Sequence, residues 1–144
     1  MSDTAMKTIK AVMVEPNKTP KTTNLKLSID AFNRAVSIGA GYDCLARCKK
    51  LEKGVYLLYA DESNALFFTP NRRVGKDIIT GVFYVIAEKD GIPTSMSEHQ
   101  IEKYKTRFQE PEKFEENEVL YSYLNNLSKE IDDMHFGNPY LNEL

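Results

Sequence analysis

Residues 78–87 read Ile-Ile-Thr-Gly-Val-Phe-Tyr-Val-Ile-Ala, and apart from Thr80 and Gly81 every position is apolar or aromatic. A strand with one wet face alternates apolar and polar residues; this run does not. It predicts a central strand covered on both sides. Gly81 interrupts it, and a glycine inside a strand weakens it unless something compensates. Two readings stay open there: a bulge or close packing contact, or a ligand lying over the bare backbone.

Upstream, Pro70-Asn71-Arg72-Arg73-Val74-Gly75 reads as a loop leading into that strand, with Lys76 beside it. Further back come three strand candidates, 42–50, 54–60 and 65–69, separated by turns at Leu51–Gly54 and Asp61–Asn64. Short turns between such runs predict antiparallel hairpins. Ser28 fits a helix N-cap, with Ile29, Phe32 and Val36 on one side of a short helix and Gly39 past its end. Ile9–Glu15 is an apolar strand stopped by Pro16-Asn17, and a polar loop is expected from there to Asn24.

Downstream the pattern turns helical. Ser97 and Gln100 fit a capping box, followed by Ile101, Tyr104 and Phe108 on one face. Pro111 suits the first turn of a second helix, with Glu112, Glu115 and Glu116 near its positive end. Leu120, Leu124, Leu127, Ile131 and Met134 then recur at spacings of four and three. This stripe either packs on the protein's own sheet or meets a second protomer. Because a helix over 111–134 would be about 36 Å long and overhang a domain of this size, a homo-oligomer is the expectation.

The expected architecture is therefore α+β: a mostly antiparallel sheet of about five strands, a short helix after the first strand, and two C-terminal helices. Its 144 residues suffice for one domain with a real core. Charge divides it into a body, 1–108, and an acidic C-terminal helix and tail, 109–144. The body carries 17 Lys and Arg against 12 Asp and Glu; residues 109–133 carry two Lys against eight acids. The overall charge of −2 argues against a general nucleic-acid coat. No apolar run reaches the roughly 18 residues of a membrane span, and MSDTAMKTIK lacks a secretory apolar core, so the expected location is cytoplasmic.

Chemistry is legible mostly by what is missing. There is no phosphate-binding glycine loop, no G-x-G-x-x-G, no H-E-x-x-H and no G-x-S-x-G. Asp61-Glu62 and Asp132-Asp133 read as solvated surface acids. Cys44 and Cys48 alternate with polar neighbours, which predicts two free thiols on the inner face of a strand. Four residues of strand span about 13 Å, too far for a disulfide. His99 and His135 are isolated, so neither a metal site nor a cofactor is expected. These features lead to the expectation of a protein that is not an enzyme.

The most suggestive cluster is cationic and aromatic. Arg72 and Arg73, with Asn71 and Lys76, suit bidentate recognition of phosphate or carboxylate. Tyr42, Tyr56, Phe83 and Tyr84 offer stacking faces for a base. The alternative is that these arginines are solvated and these aromatics fill the core. The candidate ligand site is thus Asn71, Arg72, Arg73, Lys76, Tyr42, Gly81 and Tyr84. The candidate oligomer contact is Leu120, Leu124, Leu127 and Ile131.

The strand KAVMVEP (10–16), the turn PNR (70–72), the strand ITGVFYVIA (79–87) and the segment MSEHQIEKYKTRFQEPEKF (96–114) together resemble a family of small domains of unknown function found in bacteriophages and conjugative elements. The resemblance covers roughly residues 9–114. Pro70, Asn71, Arg72, Gly81 and Phe83 match its signature positions, and the segment from 115 lies outside it. The resemblance implies a phage or mobile-element context but no activity. In that context the expectation is a counter-defence binding protein that sequesters a small anionic, cyclic-nucleotide-like ligand. The alternative is an inhibitor of a host defence protein acting through the acidic C-terminal helix.

Overall fold

Ser28 and Ser97 start their helices as their side chains dictate. Each hydroxyl accepts a backbone N–H three residues on, at 3.1 Å, and Gln100 returns a bond to the Ser97 N–H, completing the capping box. The structure, a computed structural model, describes residues 7–40, 43–61 and 68–125. Its elements are β1 (Thr8–Val14), β2 (Lys21–Lys26), α1 (Ile29–Val36), β3 (Ala46–Glu52), β4 (Val55–Ala60), β5 (Pro70–Val74), β6 (Asp77–Thr80), β7 (Phe83–Lys89), β8 (Ile92–Thr94) and α2 (Glu98–Arg107). A third helix, α3, occupies 116–125.

The architecture is α+β, with an antiparallel sheet in the order β2-β1-β7-β4-β3 and β8 paired to the far half of β7. A separate hairpin, β5–β6, lies against one face of that sheet. Period-two alternation splits the core into two layers. Ile9, Ala11, Met13, Leu58, Tyr84 and Ile86 face α1. Val12, Val14, Val55, Leu57, Phe83 and Val85 face α2 and the β5–β6 hairpin. Val12, Val14, Phe83 and Val85 are wholly enclosed. Each such side chain contributes about 1.5–3 kcal/mol relative to leaving it in water.

The run 78–87 is two strands, not one. At Gly81 the backbone takes φ +75°, and the Gly81 N–H donates to the Thr69 carbonyl at 2.8 Å. A left-handed residue cannot continue a strand, so β6 stays with β5 while β7 enters the main sheet. Pro70–Gly75 is likewise no loop, because most of it is β5, paired with β6. The polar stretch Lys21–Lys26 is an edge strand whose one buried residue is Leu25. An edge strand tolerates that polarity because one side of it stays wet.

The first hairpin candidate is shorter than expected. β3 begins only at Ala46, since Asp43–Leu45 are turned to meet α1: the Cys44 N–H donates to Ser37 Oγ at 2.8 Å. Cys44 is buried there, whereas Cys48, further along β3 at the sheet edge, is exposed. Of the candidate 65–69, Phe68 and Thr69 are not strand and the rest lies outside the described residues. The second C-terminal helix starts at 116 instead of at Pro111; in the non-helical segment before it the Glu112 carboxylate accepts the Arg73 N–H at 2.9 Å. Leu127, Ile131 and Met134 lie outside the described residues. Leu120 and Leu124 face solvent, 46% and 50% exposed, while Ser122 on the opposite side of α3 accepts the Ile78 N–H. Among the described residues no helix is long and apolar enough to cross a membrane.

Candidate functional site

Antiparallel pairing brings the C-terminal end of β1, the C-terminal end of β4 and the start of β7 to one edge of the fold, with Val14 and Tyr59 both opposite Phe83. Four connections converge there. Pro16 ends β1, and Asn17 takes φ 63°, a left-handed conformation that Asn tolerates better than most residues, so the chain reverses towards β2. α1 runs out at Val36 and turns through Gly39 at φ +82°. Phe68 and Thr69 lead into β5, and Gly81-Val82 joins β6 to β7. Between them lies a cleft of about 380 Å³, lined by these turns, with apolar walls from Val36, Ile38, Phe68 and Val82. That volume falls in the range of small-molecule sites.

Behind the cleft stands the Asn71-Arg72 pair. Asn71 is fully buried; its Nδ2 donates to the carbonyls of Val14 (2.9 Å) and Gly81 (2.8 Å), tying β1 to the β6–β7 connection. Its Oδ1 accepts from Arg72 Nη1 at 2.8 Å. Arg72 is 1% exposed. Its remaining bonds run from Nε to the Phe108 carbonyl (3.1 Å), from Nη1 to the Asn71 carbonyl (3.3 Å), and from Nη2 to the carbonyls of Lys18 (2.6 Å) and Phe108 (2.8 Å). A guanidinium has five N–H donors, and here five hydrogen bonds use them. Burial pushes the Arg72 pKa down and the Glu112 charge pulls it back up. Phe108 caps α2, so its carbonyl belongs to the negative end of that helix and suits a cation.

This overturns the picture of Asn71 and Arg72 as a grip on an anion. They are the frame that holds the Lys18 turn, β1, the Gly81 connection and the end of α2 together. Arg73 is engaged as well: Nη2 meets Glu118 at 2.6 Å and the guanidinium lies 5.3 Å from the Phe114 ring centroid. Lys76 is exposed at the turn of the β5–β6 hairpin. Tyr84 is no stacking platform. It is buried and donates to the Ala35 carbonyl at 2.9 Å, with burial first and Glu15 second pushing its pKa up to about 12. Phe83 is core, edge-on to Phe108 at 5.1 Å. Tyr42 lies outside the described residues.

Among the described members of the expected set, Gly81 is the one at the cleft wall. A Cβ on it would come within 3.3 Å of the Phe68 ring, so the glycine serves a close packing contact and also leaves its backbone beside the cleft. The sequence reading missed Glu15, Lys18, Val36, Ile38, Phe68 and Val82. Their signal was indirect: Pro16-Asn17 and Gly39 were legible as stops, and in an antiparallel sheet alternate stops share an edge. Glu15 is the acidic member of the rim, with Lys18 at 3.5 Å and Lys21 at 3.4 Å from its carboxylate. Among the described residues no group of His, Cys, Asp and Glu is placed to hold a metal.

Set against models of known families, residues 9–109 match one described as a domain of unknown function (DUF3846), and the chain belongs to that family. The match runs from β1 through α2 and so contains the cleft and its frame; α3 lies beyond it. No curated protein and no solved structure matches the chain.

Proposed function

We propose that this member of the DUF3846 family is a non-catalytic binding domain whose ligand is a small molecule held in the cleft beside Gly81. The observation that carries the reading is the cleft itself: about 380 Å³, lying between four turns, two of which, the Lys18 turn and the Gly81 connection, are held by the buried Asn71-Arg72 frame. A rigid frame behind a concave, partly apolar wall is what recognition of a small ligand needs, because little ordering is left to do on binding. The charged side chains lining the wall, Glu15 and Lys18, are paired with each other. Lys21 shares the same carboxylate, so the rim adds a positive charge to the shape and hydrogen bonding that the surface offers.

The narrower form of this proposal is sequestration of a small anionic, cyclic-nucleotide-like ligand by a counter-defence protein of a phage or mobile element. Its support is the family resemblance and the basic balance of residues 1–108. With Arg72 committed to the frame, the cations it would use at this site are Lys18 and Lys21.

Amide correlation spectra of the full chain, recorded with a library of small molecules, test the proposal. Bound compounds should shift the amides of Val36, Gly39, Gly81 and Val82 and be recovered chemically unchanged. Compounds that shift only remote amides, or that are turned over, would sink it.

A second reading has its own observation. α3 exposes Leu120, Tyr121 and Leu124, within little more than one turn of helix. In this reading the acidic segment and that apolar strip contact a protein partner, another copy or a host factor.

A further inference from the structure

Resting on the cleft reading above, we propose that the cleft selects small amphipathic anions. An apolar body lies against Val36, Ile38, Phe68 and Val82, and one carboxylate, phosphate or sulfonate is drawn to Lys18 and Lys21.

The charge balance at the rim carries the argument. Lys18 and Lys21 share a single carboxylate, Glu15, which leaves one positive charge in excess. Both contacts are long for charge-assisted hydrogen bonds, which run about 2.7–2.9 Å. The lysine side chains are 66% and 62% exposed, against 21% for Glu15. Such loose, wet pairs contribute little, so an incoming anion exchanges with Glu15 at little cost. The β1–β2 register places Lys21 opposite Met13, on the sheet face that carries α1 and the cleft. An ammonium on that face reaches the rim on a flexible apolar stem.

The end of α1 is the feature that would oppose an anion, and it is largely neutralised. Of its closing carbonyls, Asn33 accepts from Ser37 Oγ, Arg34 from the Ser37 N–H, Ala35 from the Tyr84 hydroxyl, and Ser37 from the Ala40 N–H. The negative end of the helix is thus occupied by the protein's own donors. The walls, meanwhile, give the body of a ligand four apolar side chains and the bare Gly81 backbone. The two halves contribute unequally: a bare anion finds only two solvated lysines, whereas a neutral body still finds the apolar walls but gains no orienting charge.

Three probes separate these contributions: 1-anilinonaphthalene-8-sulfonate, its uncharged counterpart N-phenyl-1-naphthylamine, and inorganic phosphate. The full chain should bind the sulfonate about fivefold more tightly than the neutral probe, as a single favourable surface charge allows. The sulfonate should shift the Gly81 and Val82 amides, and phosphate alone should not. Lys18→Gln with Lys21→Gln, both exposed and safe for folding, should bring the two aromatic probes to equal affinity. Glu15→Gln should tighten the sulfonate, because it removes the competing carboxylate. Equal binding of both aromatic probes at the cleft amides, unchanged in the lysine variant, overturns anion selection while the binding-domain reading stands. Phosphate binding as tightly as the sulfonate overturns the role of the apolar walls. Shifts confined to remote amides overturn both readings.

Discussion

The Arg72 guanidinium lies 2.6 Å from the Lys18 carbonyl oxygen, so a buried charge inside the fold holds a turn that walls the cleft outside it. Arg72→Lys should therefore act on stability first. A lysine offers three donors from a point instead of five in a fork, and cannot reach Phe108, Asn71 and Lys18 together. The expected loss is about 3 kcal/mol, read as a lowered midpoint in urea unfolding. An unchanged midpoint with lost ligand binding would return Arg72 to the role of ligand contact.

Gly81→Ala meets two obstacles, the positive φ and the Phe68 ring at 3.3 Å. The left-handed backbone alone costs about 1–2 kcal/mol for an L-residue. Unfolding should show at least that loss, with the Phe68 and Thr69 amides displaced. A variant as stable as the parent would mean that β6 and β7 join without the left-handed turn.

Tyr84 and Tyr104 are both pushed up to about 12, burial being the first cause in each. In the unfolded chain tyrosine titrates near about 10. The folded protein thus keeps its phenol protons where the unfolded one loses them, and this part of its stability is complete below about pH 10 and falls as pH rises towards 12. Tyr84→Phe should flatten the decline, measured in a Cys44→Ala, Cys48→Ala background because both thiols are also pushed up by burial. A decline equally steep in the phenylalanine variant would refute the assignment.

Leu120 and Leu124 bear on self-association. If α3 joins two copies, light scattering at micromolar concentration should show more than one chain's mass, and Leu124→Glu should return it to one. A single-chain mass in the parent, unmoved by the substitution, removes self-contact as the partner of that strip.

Local rules were legible wherever neighbours in sequence set them. Ser28, Ser97 and Gln100 announce their helices, and the double-faced apolarity of β1 and β7 announces their enclosure. What stayed hidden depends on distance along the chain. Arg72 looks like a solvent-facing cation because its cage comes from Lys18 and Phe108, 54 and 36 residues away. No local pattern marks a cage of main-chain carbonyls. β2 was hidden differently: Thr22, Thr23 and Asn24 are polar, and only pairing with β1 makes them strand. The cleft was the least legible part, since its walls are turn residues chosen for backbone geometry as much as for chemistry.

The Ile78 N–H ends on Ser122 Oγ, and Arg73 reaches Glu112 and Glu118. A polypeptide cut where the family match ends, after residue 109, would lose all three partners at once. Ile78 would be left with a bare ladder donor beside an apolar strand, the kind of open margin through which strands of separate molecules add to one another. The acidic segment is in this sense a selvedge, finishing an edge that the shared domain leaves raw.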